Sequence, residues 1–207
     1  ELGLKLTGGK FALALMSEKV ELNARKWTAL QAGASEVSFV GVAGLTVSAE
    51  LISVNVNRAA SDGTVVDFAA QPLQVATGPA SSLTLNMDGA KGALLQASGY
   101  VTIDVFGFVQ VAGSFAFEKS TTSVRLADNP ATVGVDESAS PVAVDLLTVG
   151  AAGVNIFAGL NGGKDNELGL KLTGGKFALA LMSEKVELNA RKWTALQAGA
   201  SEVSFVG

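Results

Sequence analysis

The segment "ELGLKLTGGKFALALMSEKVELNARKWTALQAGASEVSFVG", residues 1–41, occurs a second time without any change as residues 167–207. Glu1 thus recurs as Glu167, and Gly41 recurs as Gly207. An identity of this length excludes chance, and internal repetition is the sequence signature of tandem repeat architectures. We therefore predict one complete repeat unit at 1–166, followed by the start of the next unit at 167–207.

Two explanations fit the duplicated segment. The chain is a window of a longer array, or the first segment has been duplicated to complete the broken edge of a sheet. The pattern favours the window, because "SFVG" at 204–207 interrupts a strand-like run that continues into "VAGLTV" at 42–47 in the first copy. A targeting signal would then lie outside these residues, which begin at Glu1 without a methionine.

A weaker repetition divides the unit into three related segments, near 30–94, 95–146 and 147–195. The stretch "LQAGASEVSFVGVAGLTVSAELISVNVN" from Leu30 is similar to "LQASGYVTIDVFGFVQVAGSFAFEKS" from Leu95. Both are similar to the stretch from Leu147, which differs mainly by an inserted "NGGKDNE". We predict that the unit is built from three related segments.

Apolar residues alternate with small or polar residues along most of the chain, which is the pattern of β-strands with two different faces. The alternating sets include Leu2, Leu4 and Leu6; Phe11, Leu13 and Leu15; Leu45, Val47 and Ala49; Val101, Ile103 and Val105; Val154 and Ile156. A content of 24 glycines and 4 prolines, with 48% hydrophobic residues, also favours strands over helices. The glycines between the runs predict turns or bulges.

The stretch "GFVQVAGSFAFEKS", residues 107–120, illustrates the expected packing. Val109, Val111, Phe115 and Phe117 are predicted to lie on a packed face, with Gly113 at a bend. Four polar segments are predicted to be loops that project from the sheet: 57–67, 118–123, 127–141 and 161–167.

Two all-β architectures agree with this pattern. In a β-solenoid, or a tubular stack of strands, each segment forms one coil and neighbouring coils stack. In the alternative, an antiparallel meander closes into a barrel or a sandwich and the glycine breaks are hairpins. The solenoid is favoured because "DVFGFV" at 104–109 is a poor two-residue hairpin.

An enzyme is not expected, because the chain contains no histidine and no cysteine. These residues are the commonest general base, the commonest transition-metal ligand and the thiol nucleophile. Asp136 and Glu137 are adjacent carboxylates, but neighbours on a strand point to opposite faces and neighbours in a loop are solvated. We therefore assign no catalytic, cofactor-binding or metal-binding residue from the sequence.

Calcium is the one cofactor that the sequence leaves open. The segments 161–167 and 61–67 are rich in side-chain oxygens and contain glycine, as calcium loops are. Their spacing matches no EF-hand, and turn chemistry explains the same residues. The "TGGK" stretches at 7–10 and 173–176 lack the strand-to-helix context of a phosphate-binding loop, so we predict turns there.

Several partner classes are disfavoured. The net charge is −4 without a cluster of Lys and Arg, which argues against nucleic acid. The longest nearly apolar run, 146–160, holds Asn155 and is shorter than the roughly 20 residues of a membrane-spanning helix, so no membrane span is expected. Trp27 and Tyr100 are placed at strand starts, where they pack in the core or, alternatively, anchor a carbohydrate or protein partner.

Three stretches resemble units of giant bacterial repeat proteins that are predicted to lie outside the cell. They are "VSFVGVAGLTVSAELISVNVN" at 37–57, "VVDFAA" at 65–70 and "GFVQVAGSFAFEKS" at 107–120. The resemblance implies an extracellular or cell-surface location and a long array of β-rich repeats. It assigns no active residue.

The expected function is structural: β-rich units stack end to end on identical neighbouring repeats or subunits and build an extracellular filament, tube or stalk. The alternative is a surface adhesin module that binds an unidentified glycan or protein through the long loops at 57–67 and 128–141.

Overall fold

The computed structural model describes residues 2–20, 22–134, 136–186 and 188–207, and their regular structure is almost entirely β-strand. The strands are β1 (Gly3–Thr7), β2 (Lys10–Ser17), β3 (Lys26–Val40), β4 (Leu45–Arg58), β5 (Leu73–Gly78), β6 (Ser81–Leu85), β7 (Leu94–Val105), β8 (Val109–Val124), β9 (Val142–Leu160), β10 (Leu168–Glu184), β11 (Lys192–Gly199) and β12 (Glu202–Val206). A short 3₁₀ turn spans Gly89–Lys91. Within the described ranges no helix has the length and apolarity needed to cross a membrane.

Ten of the strands form one antiparallel sheet in the order β1-β3-β4-β7-β8-β9-β10-β11. The strands β1 and β2 both pair with β3, and β11 and β12 both pair with β10, so each of these pairs forms one broken edge strand. The sheet is open between these two edges. The all-β prediction is confirmed. The solenoid is not confirmed, since all neighbouring strands of this sheet run antiparallel.

Each of the three related sequence segments contributes to one long hairpin. These hairpins are β3–β4, β7–β8 and β9–β10, and the residues that begin the segments lie in their ladders: Leu30 pairs with Val56, Leu95 with Lys119, and Leu147 with Leu181. These three pairs of strands are antiparallel hairpins in a meander.

The turn between β7 and β8 corrects the interpretation of "DVFGFV". The prediction considered a two-residue turn, whereas the structure forms a three-residue loop of Phe106, Gly107 and Phe108 between the paired residues Val105 and Val109. Phe106 and Gly107 adopt positive φ angles of 54° and 72°, and the Phe108 N–H donates to the Val105 carbonyl at 2.9 Å. The Asp104 carboxylate accepts the Gly107 N–H at 2.8 Å, which holds the turn.

Bulges keep successive apolar runs on the same face of the sheet. Leu51 in β4 has a φ of 52°, and the register against β7 shifts there. Ala49 and Val54 are an odd number of residues apart, yet they pair with Val101 and Ala97, which are an even number apart on the unbroken strand β7. The extra residue thus corrects the phase of the alternation.

Gly113 lies inside the continuous strand β8 and is not the predicted bend. It faces a bulge of β9, where the register shifts and Gly153 has a φ of 61°. A Cβ on Gly113 would approach the Val154 Cα to 2.9 Å, so the glycine permits a close approach of two backbones.

One face of the sheet is apolar across all eight strand positions. A single row of side-by-side residues runs Phe11, Ala32, Val54, Ala97, Phe117, Val149, Leu179 and Leu196. Val109, Val111, Phe115 and Phe117 share this face as predicted. This face is partly covered: Val109 is 42% exposed, whereas Val111, Phe115 and Phe117 are half-buried. The cluster of Ala12 and Ala29 lies on the opposite face.

A buried cluster lies between strands β2 and β3 and residues 59–93, which we call the cap segment. This segment contains the β5–β6 hairpin and covers the opposite face of the sheet at β2 and β3. The core cluster comprises Ala12, Ala29, Phe68, Leu85, Met87 and Leu94.

The structure corrects one of the four predicted loops and shortens another. Residues 57 and 58 end β4, and 59–67 form an irregular loop that starts the cap segment and is held by hydrogen bonds from Trp27 to the Thr64 carbonyl and from Asn57 to the Val66 carbonyl. Residues 118–123 belong to strand β8, because they pair with residues 143–148 of β9. Residues 161–167 do form the loop of the β9–β10 hairpin, and 127–141 connects β8 to β9.

Candidate functional site: the two open sheet edges

The duplicated segment folds into the same hairpin at both ends of the sheet. In the first copy Leu13 pairs with Leu30, and in the second copy their equivalents Leu179 and Leu196 pair in the same register. We call these the first hairpin (β1, β2 and β3) and the second hairpin (β10, β11 and β12). Their equal registers show that the segment does not depend on its position in the sheet to form this hairpin.

The two hairpins differ in which of their outer edges has a neighbour. The first hairpin pairs through β3 with β4, for example Leu30 with Val56. The second hairpin pairs through β10 with β9, for example Leu179 with Val149. The duplicated segment has two outer edges, and each of them is paired with a neighbouring strand in one of the two copies. The edge that is open in one copy is the edge that is paired in the other.

Glycines fit these edges to their neighbours. Gly169 in β10 lies against Gly159 of β9, and a Cβ on Gly169 would overlap the Ala158 carbonyl oxygen. Its counterpart at the open edge, Gly3, has nothing within 4 Å of that position. The open edge of the first hairpin thus has the same shape as a surface that already receives a strand in this molecule.

The other edge shows the same relation. A Cβ on Gly33 in β3 would lie 2.8 Å from the Ile52 carbonyl oxygen of β4. At the corresponding residue of the open edge, Gly199, the nearest atom is the Lys176 Cε at 3.9 Å.

Alanine substitution at these matched glycines is expected to change the stability of the protein differently at the paired edge and at the open edge. Gly169→Ala should destabilise the full chain by about 1–3 kcal/mol, because the methyl group would overlap the β9 backbone. Gly3→Ala should be neutral or stabilising by up to about 1 kcal/mol, since alanine suits a strand better than glycine. Urea denaturation of both variants measures the difference, and equal effects would contradict the assigned close approach.

An ion pair and an aromatic ring mark the turn end of each hairpin. Arg25 donates to the Glu18 carboxylate at 2.6 Å, and Arg191 donates to Glu184 at 2.7 Å. These hydrogen bonds hold the pKa of both carboxyls below their ordinary value. The guanidinium carbons lie 5.2 Å and 5.4 Å from the ring centres of Trp27 and Trp193.

The two aromatic residues named from the sequence lie in different settings. Trp27 is at the start of β3 as predicted and donates from Nε1 to the Thr64 carbonyl of the cap segment at 3.1 Å. Tyr100 is not at a strand start but in the middle of β7, opposite Glu50 and Ser114. The alternation alone did not reveal where this strand begins.

The carboxylates Asp136 and Glu137 serve to shape their own loop. Glu137 accepts the Thr132 hydroxyl and, at 3.0 Å, the Asn129 N–H, and these hydrogen bonds lower its pKa. Asp136 accepts the Ser138 N–H at 2.9 Å and the hydroxyl of the same residue.

The segments considered for calcium use their oxygens in turns and ion pairs. Asp62 accepts the Thr64 N–H and hydroxyl, and one Asp67 oxygen accepts three backbone N–H groups, those of Ala69, Ala70 and Gly89. Glu167 pairs with Lys171 at 2.8 Å. Among the described residues, no three or more acidic side chains converge as a metal-ion site would require.

The two "TGGK" stretches share one backbone conformation at their first glycine, since Gly8 and Gly174 have φ angles of 61° and 62°. Residues 7–10 separate β1 from β2, with Gly8 at a φ of 61°. Residues 173–176 lie within the continuous strand β10, where the register against β9 shifts, so the predicted turn is a bulge there. The same irregularity is thus present in both copies, and β10 is continuous across it because it also pairs with β9.

No site residue was assigned from the sequence. The duplicated segment was the feature of the sequence that pointed to the two open edges. Comparison with known protein families, with curated proteins and with solved structures finds no match.

Proposed function

We propose that this chain is a structural repeat that builds a long extracellular filament, tube or stalk by continuing one antiparallel β-sheet from unit to unit. The observation that supports it is the exchange of neighbours between the two hairpins: one duplicated segment accepts β9 on one side and β4 on the other. Where such units follow one another, every hairpin has both neighbours.

The repeat length agrees with a continuous sheet. From β4 to the end of the second hairpin, a unit supplies six strand positions: β4, β7, β8, β9, β10 and the broken strand β11–β12. An even number returns the chain to the same direction, so the next unit continues the antiparallel order. At about 4.8 Å per strand, each unit would extend the sheet by about 29 Å. The twist of a sheet this wide would coil it into a tube or ribbon.

Open strand edges favour this role energetically. An unpaired edge presents a row of backbone N–H and C=O groups that can pair with another strand. In a repeat array this liability becomes the contact between neighbouring units. The partners in this proposal are identical repeats, and the location outside the cell follows from the resemblance to giant bacterial surface proteins. No catalytic step forms part of it.

An adhesin module is the second candidate, and the 127–141 connection favours it. This connection carries an almost fully exposed apolar side chain, Val133 at 96% exposure. Residues 57–67, the other loop considered for binding, lead into the cap segment, where Val66 packs against the buried cluster and the Thr64 carbonyl accepts from Trp27. The 127–141 connection, with its exposed Val133, is therefore the stronger candidate for ligand binding.

Chains with one to four additional complete units test the structural proposal. Negative-stain electron microscopy should show particles that lengthen by the same increment with every unit and keep a constant width. Separate beads joined by linkers, without a continuous body, would contradict the continued sheet. Binding of a glycan that is abolished by Val133→Asp would favour the adhesin instead.

A further inference from the structure

The first hairpin is covered by the cap segment, whereas the identical surface of the second hairpin is open. Ala12 and Ala29 are 1% and 0% exposed under the cap segment. Their counterparts Ala178 and Ala195 are exposed. We call the corresponding surface of the second hairpin, formed by Ala178, Ala180, Met182, Trp193 and Ala195, the hairpin patch; Ala180, Met182 and Trp193 are half-buried in it. The difference arises from the neighbour, because the sequences are the same.

The contacts in the first copy define what the patch can receive. Phe68, Leu85 and Met87 of the cap segment form the buried cluster over Ala12 and Ala29. Polar contacts surround this cluster. Trp27 donates from Nε1 to the Thr64 carbonyl at 3.1 Å, and Arg25 lies 3.6 Å from the Asp62 carboxylate. Apolar side chains, one carbonyl and one carboxylate thus recognise the hairpin.

The cap segment is placed by the strand that precedes it. It begins directly after β4, which pairs with β3 of the first hairpin. Asn57 at the end of β4 is fully buried and donates from Nδ2 to the Val66 carbonyl at 2.8 Å, which fastens the cap segment to this strand. Any copy of β4 that pairs with the second hairpin would therefore carry a cap segment to the hairpin patch.

The chain's own loop leaves room at the patch. A cavity of about 680 Å³ lies between the 124–137 region and Met182, Trp193 and Ala195. The 124–137 region thus flanks the patch near Trp193, while Ala178 and Ala195 remain exposed.

We propose that the hairpin patch is a docking site for the cap segment, residues 59–93, of the following repeat. This inference rests on the proposed function, because the following β4 must pair with β11 and β12 to deliver the cap segment. Asp62 and Thr64 of the following repeat would meet Arg191 and Trp193, as their equivalents do in the first copy. The cap segment then joins adjacent units through side chains, in addition to the backbone pairing of the sheet edges.

The test uses the whole chain extended after Gly207 by a copy of residues 42–93, which reproduces the sequence that follows the first hairpin. The protein has no cysteine, so a single introduced thiol reports burial. Ala178→Cys lies on β10, away from the edge that receives the new strand, and only the cap segment would cover it. Ala12→Cys, under the existing cap segment, is the reference for a protected thiol.

We expect the Ala178→Cys thiol to react freely with a thiol reagent in the chain that ends at Gly207 and to be protected in the extended chain to the level of Ala12→Cys. Hydrogen exchange of the amides of 192–206 reports separately on strand pairing. A control extension carries Phe68→Ser and Leu85→Ser in the added copy, which should keep the amide protection and lose the thiol protection.

The outcomes separate the two proposals. Protected amides with a reactive thiol in the intact extension would overturn the docking of the cap segment and leave the continued sheet standing. Unprotected amides together with a reactive thiol would overturn the continued sheet at this edge and the docking with it. We expect the intact extension to protect both the amides and the thiol. The control extension should protect the amides but leave the thiol reactive.

Discussion

Removal of residues 1–41 is expected to convert the chain into a head-to-tail polymer. The remaining residues 42–207 have the length of the proposed repeat unit and expose the β4 edge that the first hairpin covers in the full chain. The second hairpin of another molecule carries the same sequence as the hairpin removed. Pairing Leu196 with Val56 across molecules would restore the register that Leu30 makes with Val56.

This polymerisation is measured by sedimentation velocity and electron microscopy over a range of concentrations. The full chain is the control, because its own first hairpin occupies the β4 edge and, in the described part of the chain, its β9 edge is also paired. Addition of the full chain should shorten the polymers, since its second hairpin can end a growing sheet. A monomeric 42–207 chain with intact β-structure would contradict the matched-edge model.

Phe68→Ala is expected to produce the largest loss of stability from a single side chain. Phe68 is 1% exposed and packs with Leu85 and Met87 over Ala12 and Ala29. Truncating a buried phenylalanine costs about 3–5 kcal/mol through the lost transfer free energy and the cavity that remains. Because the cap segment forms the buried cluster over the first hairpin, we expect it to detach before the sheet unfolds.

Urea denaturation and hydrogen exchange together check this expectation. The exchange of amides in β5 and β6 should rise more than that of amides in β8 and β9, which lie in the middle of the sheet. Val133→Ala is the matched control, because it removes an apolar group that is 96% exposed and should change stability by less than about 0.5 kcal/mol. A uniform loss of protection would show that the cap segment and the sheet unfold as one unit.

The strand content and the apolar face could be predicted from the sequence because alternation is a local property. Val109, Val111, Phe115 and Phe117 alternate within one strand, and their common face requires no knowledge of neighbours. Whether other parts of the chain cover that face depends on the tertiary structure. The cap segment lies on the opposite face, and only its packing on Ala12 and Ala29 showed where the core is.

The turn at 106–108 shows why the architecture could not be predicted from the pattern. A left-handed Phe106 is uncommon for a bulky residue, so the sequence argued against a hairpin. The structure stabilises it with Gly107 and with the hydrogen bond from Gly107 to the Asp104 carboxylate. These contacts form once β7 and β8 are paired, and the pairing depends on the whole ladder.

The sequence by itself determined that this protein is all-β and that its strands carry one apolar face. It also showed that the segment 1–41 recurs unchanged as 167–207. These features depend only on the order of residues along the chain. The tertiary structure alone decided that the strands run antiparallel in an open sheet and that the two identical hairpins take different neighbours. It also decided which copy receives the cap segment. The physical reason is that strand pairing and burial depend on partners distant in sequence, so that identical residues, Ala29 and Ala195, are buried in one copy and exposed in the other.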